Sequence, residues 1–538
     1  MGILKAVVVL TMISTLLLSI IWKATLDSDE DGNQNFIQCL LDNSVPSHPI
    51  SSAIYTPESS SYSPVLQSYI RNLRFNESWT PKPFLILTPL HQSHVQAAVV
   101  CGKSHGVRMK IRSGGHDYEG LSYVSDVPFF LLDMFNLRSI DVDIEHESAW
   151  VQAGATLGEV FYRIGERSTT HGFPAGVCPT VGVGGHVSGA GYGNMMRKYG
   201  VSADNILDAV VVDADGRVLD RRSMGEDLFW AIRGGGGASF AVVVAYKIKL
   251  VRVPERVTVF QVEKTLGKDD VTDIVDQWQH VSHNLPEQLF IRLMLDVVKK
   301  TVRASFVSLF LGDSDSLISI MNDRFPKLGL TKSDCIELSW VKSILFWSNI
   351  PLDTDNKVLL DRTLPTLYHL TRKSDYVREP IPKPGLDSIW KKMIELETPK
   401  MYFNPYGGKM AEIVEQEIPF PHRAGNLWKI QYIANWKEQG IEKANFYIDL
   451  TRKLHEFMTP FVSNNPRRAF LNYRDADLGT DYHKKGMHEE ARAQGIKWFM
   501  GNFDRLVKIK GEVDPSNFFR YEQSIPLLPS LQHSDASV

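Results

Sequence analysis

The chain has 538 residues and a formal net charge of -3, too long for one ordinary hydrophobic core, so two or more domains are expected and a large cofactor can be buried. Hydrophobic residues make up 43% and charged residues 22%, a globular balance without the basic footprint that would point to nucleic acid as the main partner. A neutral or anionic small molecule is left open.

The chain begins with a targeting pattern. Lys5 precedes a charge-free, mostly apolar run over residues 6–22, and Asp27, Asp29, Glu30 and Asp31 follow, which reads as a secretory signal peptide over residues 1–26. Secretion to the extracellular space or cell wall is expected, with no stable membrane insertion once the signal is cleaved; the length of the run leaves a retained anchor as the alternative. Secretion favours a structural disulfide among Cys39, Cys101, Cys178 and Cys335, and the apolar settings of Cys39 and Cys101 make them the expected pair, although sequence does not fix connectivity. It also makes Asn76, in Asn76-Glu77-Ser78, a glycosylation acceptor.

Residues 36–41 carry a short helical pattern, and Ser63 with Pro64 predicts a capped helix running to about Asn72. Pro81, Pro83 and Pro89 bracket an apolar run at 84–87 that reads as a buried strand. Residues 94–101 are helical in pattern, with Val95, Ala98 and Val99 on the apolar side. A strand at 109–112 leads into residues 112–120, Arg-Ser-Gly-Gly-His-Asp-Tyr-Glu-Gly. Paired glycines let the backbone turn sharply and pass close to a ligand. These nine residues alone fit an ordinary surface turn, but their place at a strand end favours a ligand site. Strands at 129–133 and 149–153, and a capping box of Thr156 and Glu159 heading a helix to Glu166, give an α/β or α+β domain.

Residues 173–193 hold Gly176, Gly182, Gly184, Gly185, Gly189, Gly191 and Gly193, too many for a regular helix or strand and suited to offering backbone N–H groups to a phosphate or flavin ring. Flexible linkers rarely thread Val, Cys, His and Tyr between their glycines. A hairpin at 208–220 turns at Asp215-Gly216, and a glycine run at 234–237 opens onto a strand at 240–246. The pattern changes near Pro254, where a strand at 257–262 and an amphipathic helix at 271–281 start a second domain reaching about residue 470. Within it, residues 427–436 alternate. Trp428, Ile430, Tyr432 and Ala434 point one way and Lys429 and Gln431 the other, a polar side that reads by default as solvated, with a substrate-facing wall as the rival. A helix at 488–503 and a turn-rich close at 514–526 follow, the latter expected to pack back on the first domain.

Residues 112–120, Cys178-Pro179-Thr180-Val181 with its glycines, 224–237, 472–479 and the Asn517-Phe518-Phe519 tail to Pro526 together resemble, in order and over nearly all the chain after the signal, the plant berberine bridge enzyme-like flavoproteins of the vanillyl-alcohol oxidase type. The resemblance implies an α+β fold: a two-part FAD-binding domain (35–255), an α/β substrate domain with an antiparallel sheet (256–475), and a C-terminal segment (476–538) returning to the first domain. It implies FAD bonded to both His116 and Cys178, in a bed that includes Arg112, Ser113, Gly114, Gly115, Val181, Gly182, Gly185 and His186, and no metal. Such a flavin takes hydride from an alcohol, and the base that removes the hydroxyl proton is expected to be Tyr192, its anionic form favoured by the Lys429 ammonium, with Tyr118, Gln431 and Tyr473 positioning substrate. Gln431 stands where alkaloid-cyclising members have glutamate, which puts that chemistry in doubt. Val181 resembles the oxidases, where dehydrogenases have leucine, so molecular oxygen is the expected acceptor. The expected substrate is the anomeric hydroxyl of an oligosaccharide, with a monolignol, an allylic alcohol, as the alternative. A secreted flavin carrier or sugar-binding protein without turnover is the third reading.

Overall fold

The structure, a computed structural model, describes residues 31–479 and 488–528. The signal peptide expected at 1–26 lies outside the described residues, as do 480–487 and 529–538 of the expected C-terminal segment.

Apolar runs bounded by proline and glycine become strands. Strand β1 (Leu85–Leu87), helix α1 (Gln92–Ser104), β2 (Arg108–Arg112) and β3 (Phe129–Asp133) form a four-stranded sheet with Ile54–Tyr55 at its edge, and β3 runs parallel to both β1 and β2. Val95, Ala98 and Val99 of α1 are buried in the core beside it. Cys101 of α1 is bonded to Cys39, the expected pair.

Next come β4 (Ser148–Gln152), α2 (Leu157–Arg167), the short α3 (Val183–Ser188), β5 (Ile206–Val212) and β6 (Val242–Lys249). Strands Ile140–Asp143, β4, β6, β5 and Val218–Leu219 make a five-stranded antiparallel sheet in that order. The capping box is present, with Glu159 Oε2 accepting the Thr156 N–H at 2.8 Å. The hairpin closes where expected, because the Asp213 carboxylate accepts the N–H groups of Asp215 and Arg217 at 3.0 and 2.9 Å.

The third layer is one antiparallel sheet of β7 (Val257–Thr265), β8 (Leu289–Val298), β9 (Thr301–Phe310), β10 (His369–Val377), β11 (Lys400–Pro405) and β12 (Trp428–Trp436) with Cys335–Leu338, ordered Cys335–Leu338, β7, β9, β8, β11, β12, β10. Helices Val271–Val281, Lys383–Leu396 and Ile441–Phe457 cover one face, where Trp278, Trp390 and Leu454 pack with Trp428, Ile430 and Tyr432. The other face meets the glycine-rich half of the molecule through Val257, Val259, Phe290 and Val307. The architecture is the expected α+β fold.

Three local expectations are corrected. The helix expected from Ser63 and Pro64 runs Tyr62–Gln67 after Ser61, and the chain beyond it turns instead into the 3-10 segment Leu73–Phe75, capped by Asn72. The glycine-rich stretch is not wholly irregular, since α3 winds through Gly184 and Gly185. The helix at 488–503 stops at Phe499, because Met500 adopts φ 49°, and a separate helix α4 (Phe503–Val513) follows.

That last helix anchors the tail. Lys510 Nζ, fully buried, donates to the carbonyls of Ser239 and Phe519, both at 2.7 Å, and pairs with Asp514 at 2.6 Å. The Asp514 carboxylate in turn accepts the N–H groups of Phe518 and Phe519 at 2.9 and 2.8 Å. Both phenylalanines enter the core of the first sheet.

Candidate active site

A cavity of about 1920 Å³, counting its solvent-open mouth, lies where the loop after β2, the glycine-rich stretch, the tail and the sheet of β7 to β12 meet. Its lining divides into a glycine-rich end and a phenol-rich end.

At the glycine-rich end, the loop after β2 turns because Gly115 takes φ 71°, a left-handed conformation strained for any side chain. Gly114 lies flat against Gly182, so closely that a Cβ there would sit 2.9 Å from the Gly182 Cα. This contact brings the two stretches together. Ser113 Oγ donates to the Ala153 carbonyl at 2.6 Å and fixes the loop to β4. His116 and Cys178 both open on the cavity and share Thr180, whose Oγ1 lies 2.9 Å from His116 Nε2 and 3.6 Å from Cys178 Sγ. Burial, with Arg71 nearby, pushes the His116 imidazole down to about 3, so it is neutral and nucleophilic. Val181, Gly182 and Gly185 line the same wall. A Cβ on Gly185 would meet nothing within 4 Å, so the backbone there faces open space of the kind a flat ring can fill. His186 lines the cavity too, pushed down to about 3 by burial and by Lys429. Arg112 is the one expected member of this bed outside the lining. Its guanidinium pairs with Asp133 at 2.7 Å and donates to the Leu66 and Val65 carbonyls at 2.6 and 3.0 Å, bracing the sheet beneath the loop.

At the other end, Tyr118, Tyr192, Gln431 and Tyr473 converge on the cavity. The hydroxyls of Tyr192 and Tyr473 are hydrogen-bonded to each other, and Gln431 Nε2 donates to the Tyr118 hydroxyl at 3.2 Å. Burial raises the phenols of Tyr118 and Tyr473 above their ordinary range. The default reading of the polar side of β12 as solvated is overturned: Lys429 is 0% exposed and Gln431 7%. Lys429 is covered because Tyr192 and Phe470, distant in sequence, fold over it, and Gln431 lies in the cavity wall against the Tyr118 hydroxyl.

Lys429 stands behind the wall. Its Nζ lies 3.2 Å from the ring centroid of Tyr192, 3.7 Å from Phe470 and 4.4 Å from Tyr473, and no hydrogen-bond partner reaches it. Burial, reinforced by Arg292, holds its ammonium well below the usual lysine range. The cation that reaches the Tyr192 oxygen is Arg292, with Nη2 at 3.4 Å and Nε fixed on Asn404 Oδ1 at 2.7 Å. Arg292 and Tyr402 both line the cavity and neither was read from sequence. The available signal was an arginine facing inward from the alternating apolar run of β8, where Leu289, Ile291, Leu293 and Leu295 mark the opposite, helix-covered face. Among the described residues no cluster of His, Cys, Asp and Glu could hold a metal ion.

A family model described as FAD binding domain matches residues 83–221, which contain both glycine-rich walls, and one described as berberine and berberine like matches residues 469–526, which supply Phe470, Tyr473 and the tail. The fold and the site define an FAD-dependent oxidoreductase. Over 519 residues the chain is 59% identical to berberine bridge enzyme-like 8 of Arabidopsis thaliana, covering 95% of this chain and 97% of that one, and over 524 residues it is 50% identical to tetrahydroberberine oxidase of Berberis wilsoniae, with the same two coverages. The solved structure of the grass pollen allergen Phl p 4, a glucose dehydrogenase, superposes with a TM-score of 0.87 at 42% identity over 92% of this chain and 99% of that one. An isoleucine-to-valine variant of Phl p 4 is a glucose oxidase. The chain belongs to the berberine bridge enzyme-like family.

Proposed function

We propose that the protein is a secreted oxidase that removes hydride from the anomeric hydroxyl of an oligosaccharide and delivers the electrons to molecular oxygen, giving hydrogen peroxide. FAD, when bound, supplies the hydride acceptor and the oxygen-reactive centre. His116 and Cys178 would hold it by two covalent links, a reading supported by their shared placement around Thr180 and by the neutral state of the imidazole. Ser113, Gly114, Gly115, Val181, Gly182, Gly185 and His186 form the bed, and a valine at 181 leaves room for oxygen.

The observation that carries the reading is the Tyr192 hydroxyl, on the cavity wall and bonded both to Tyr473 and to Arg292. Tyr192 takes the substrate hydroxyl proton as hydride departs, and Arg292 supports the negative charge that the base carries before it acts; a hydrogen bond to a charged group contributes about 1.5–3 kcal/mol. Lys429 stands over the ring faces of Tyr192 and Tyr473 rather than beside their oxygens. Gln431 and Tyr118 hold neighbouring substrate hydroxyls. Asn76, exposed beside the 3-10 segment, is the glycosylation acceptor of a protein that works outside the cell or in the cell wall.

A second reading, a monolignol oxidase using the same residues, draws on the aromatic lining: the rings of Tyr118 and Tyr473, with centroids 5.9 Å apart, offer faces to a phenylpropenol. Mixing the yellow holoenzyme without oxygen with cellodextrins or with coniferyl alcohol separates the two by which substrate bleaches the flavin. Retained colour with every alcohol would mark a carrier without turnover. Failure of the reduced protein to reoxidise in air would remove oxygen as acceptor.

A further inference from the structure

The wall that carries the site does not end at the cavity. Side chains alternate faces along each strand of the sheet, so the face that presents Arg292 on β8, Tyr402 on β11 and Gln431 on β12 also presents the residues two positions further along each strand. The register places Met294, Tyr402 and Gln431 side by side on one rung. The next rung outward carries Asp296 of β8 beside Arg303 of β9, and Lys400 of β11 beside Ile433. The helices of the domain cover the opposite face.

The charges of the outer rung, with Glu263 of β7 from the rung inside it, are fixed to one another. Arg303 grips Asp296 at 3.0 and 2.8 Å and reaches Glu263 of β7 at 3.5 Å, while Lys400 approaches Asp296 at 3.5 Å. Arg303, Glu263 and Lys400 are open to solvent, at 35%, 44% and 46%, and Asp296 lies deeper, at 15%. The two carboxylates and two cations of the network cancel, and Arg372, which faces Ile433 on the same rung, is buried and donates to the Ala434 carbonyl and to Asn435, so the open part of the shelf offers oriented donors and acceptors in balance. That pattern of paired donors and acceptors complements a neutral polyol.

We infer that this shelf is a distal subsite that holds the sugar residues of a neutral oligosaccharide beyond the one whose anomeric carbon reacts, with Asp296, Arg303, Glu263 and Lys400 hydrogen-bonding their hydroxyls. Its occupant follows from continuity: Tyr402 and Gln431 belong to the cavity and are the direct neighbours of the shelf on the same sheet face. The inference rests on the sugar-oxidase reading and deepens it, because a monosaccharide fills only the cavity and gains nothing from the shelf.

The test is kcat/KM of the holoenzyme for glucose, cellobiose, cellotriose and cellotetraose, followed by flavin bleaching without oxygen. The expected result is a rise with chain length carried by KM. In the double variant Asp296→Ala/Arg303→Ala, which keeps the row neutral, the advantage of cellotetraose over glucose should shrink about tenfold, the loss of one or two hydrogen bonds, with glucose turnover unchanged. Glu263→Gln, which keeps the shape, should give a smaller loss of the same kind. Equal efficiency for glucose and cellotetraose in the wild-type protein overturns the inference, as does a double variant that lowers both substrates alike, since the row is then only a solvated ion-pair network. Bleaching by coniferyl alcohol and by no sugar overturns the sugar-oxidase reading itself, an outcome distinct from the other two.

Discussion

At the scale of single residues, the Tyr192 oxygen and the Lys429 nitrogen make contrasting use of burial. Tyr192 has hydrogen-bond partners in Tyr473 and Arg292, whereas Lys429 has none and is surrounded by ring faces. General-base catalysis contributes about 10²–10⁴-fold, so Tyr192→Phe should slow anaerobic flavin reduction by that factor while the protein stays yellow; a loss below tenfold would assign the proton to another group. Arg292→Leu should slow the same step by about 10–100-fold, the loss of one charge-assisted hydrogen bond. Lys429 poses a different problem, because a buried polar group without a partner costs stability. Lys429→Met should raise the melting temperature and lower the rate of flavin reduction together, and a variant that loses both would show that the ring-face contacts stabilise the fold.

Among the elements, those defined by contacts within a few residues were legible in the sequence. The capping box of Thr156 and Glu159, the turn at Asp215-Gly216 and the apolar side of α1 all depend on near neighbours, and each stands where the sequence places it. Lys429 and Gln431 show the limit: alternation placed them on one side of β12, but whether that side is wet depends on Tyr192 and Phe470 folding over Lys429 and on Tyr118 meeting Gln431. Arg292 escaped for a related reason, since nothing near β8 in sequence reveals what its inward face meets. The loop after β2 combines both kinds of information, and its Glu119 adds a pH dependence. Burial raises the Glu119 carboxyl to about 7, with Arg74 opposing and Asp475 and Asp117 adding to the rise. Between the ordinary carboxylate value of 4.5 and that raised value the folded state holds more protons than the unfolded one, so this group's contribution to stability falls as pH rises through that window and is flat above it. Melting temperatures at pH 5 and pH 8 should therefore differ less in Glu119→Gln than in the wild-type protein. An unchanged difference would mean that Glu119 titrates in the ordinary range.

Taken whole, the molecule is closed by its own C-terminal segment. Phe519 and Tyr521 line the cavity; the Lys510–Asp514 pair, with both side chains 0% exposed, holds the start of the tail, and Lys110 with Glu522 and Arg474 with the Tyr521 hydroxyl hold it further along. Burial pushes Lys510 down to about 8 against the pull of Asp514, which shows how much that environment disfavours an isolated charge. Removing one partner of a buried pair costs about 3–5 kcal/mol, because the other charge is stranded. Asp514→Ala also deprives the Phe518 and Phe519 N–H groups of their acceptor, so it should destabilise the protein by at least that range in a denaturant titration read by tryptophan fluorescence. Loosening the tail exposes one side of the cavity, and the consequence for the flavin depends on how it is attached. With links at both His116 and Cys178, the destabilised protein should keep its yellow colour through precipitation in acid, and a flavin peptide containing each residue should be recovered after digestion. If the colour passes instead into the supernatant, the flavin is retained only by the packing of the tail and the glycine-rich walls, and the two-link reading of His116 and Cys178 is wrong.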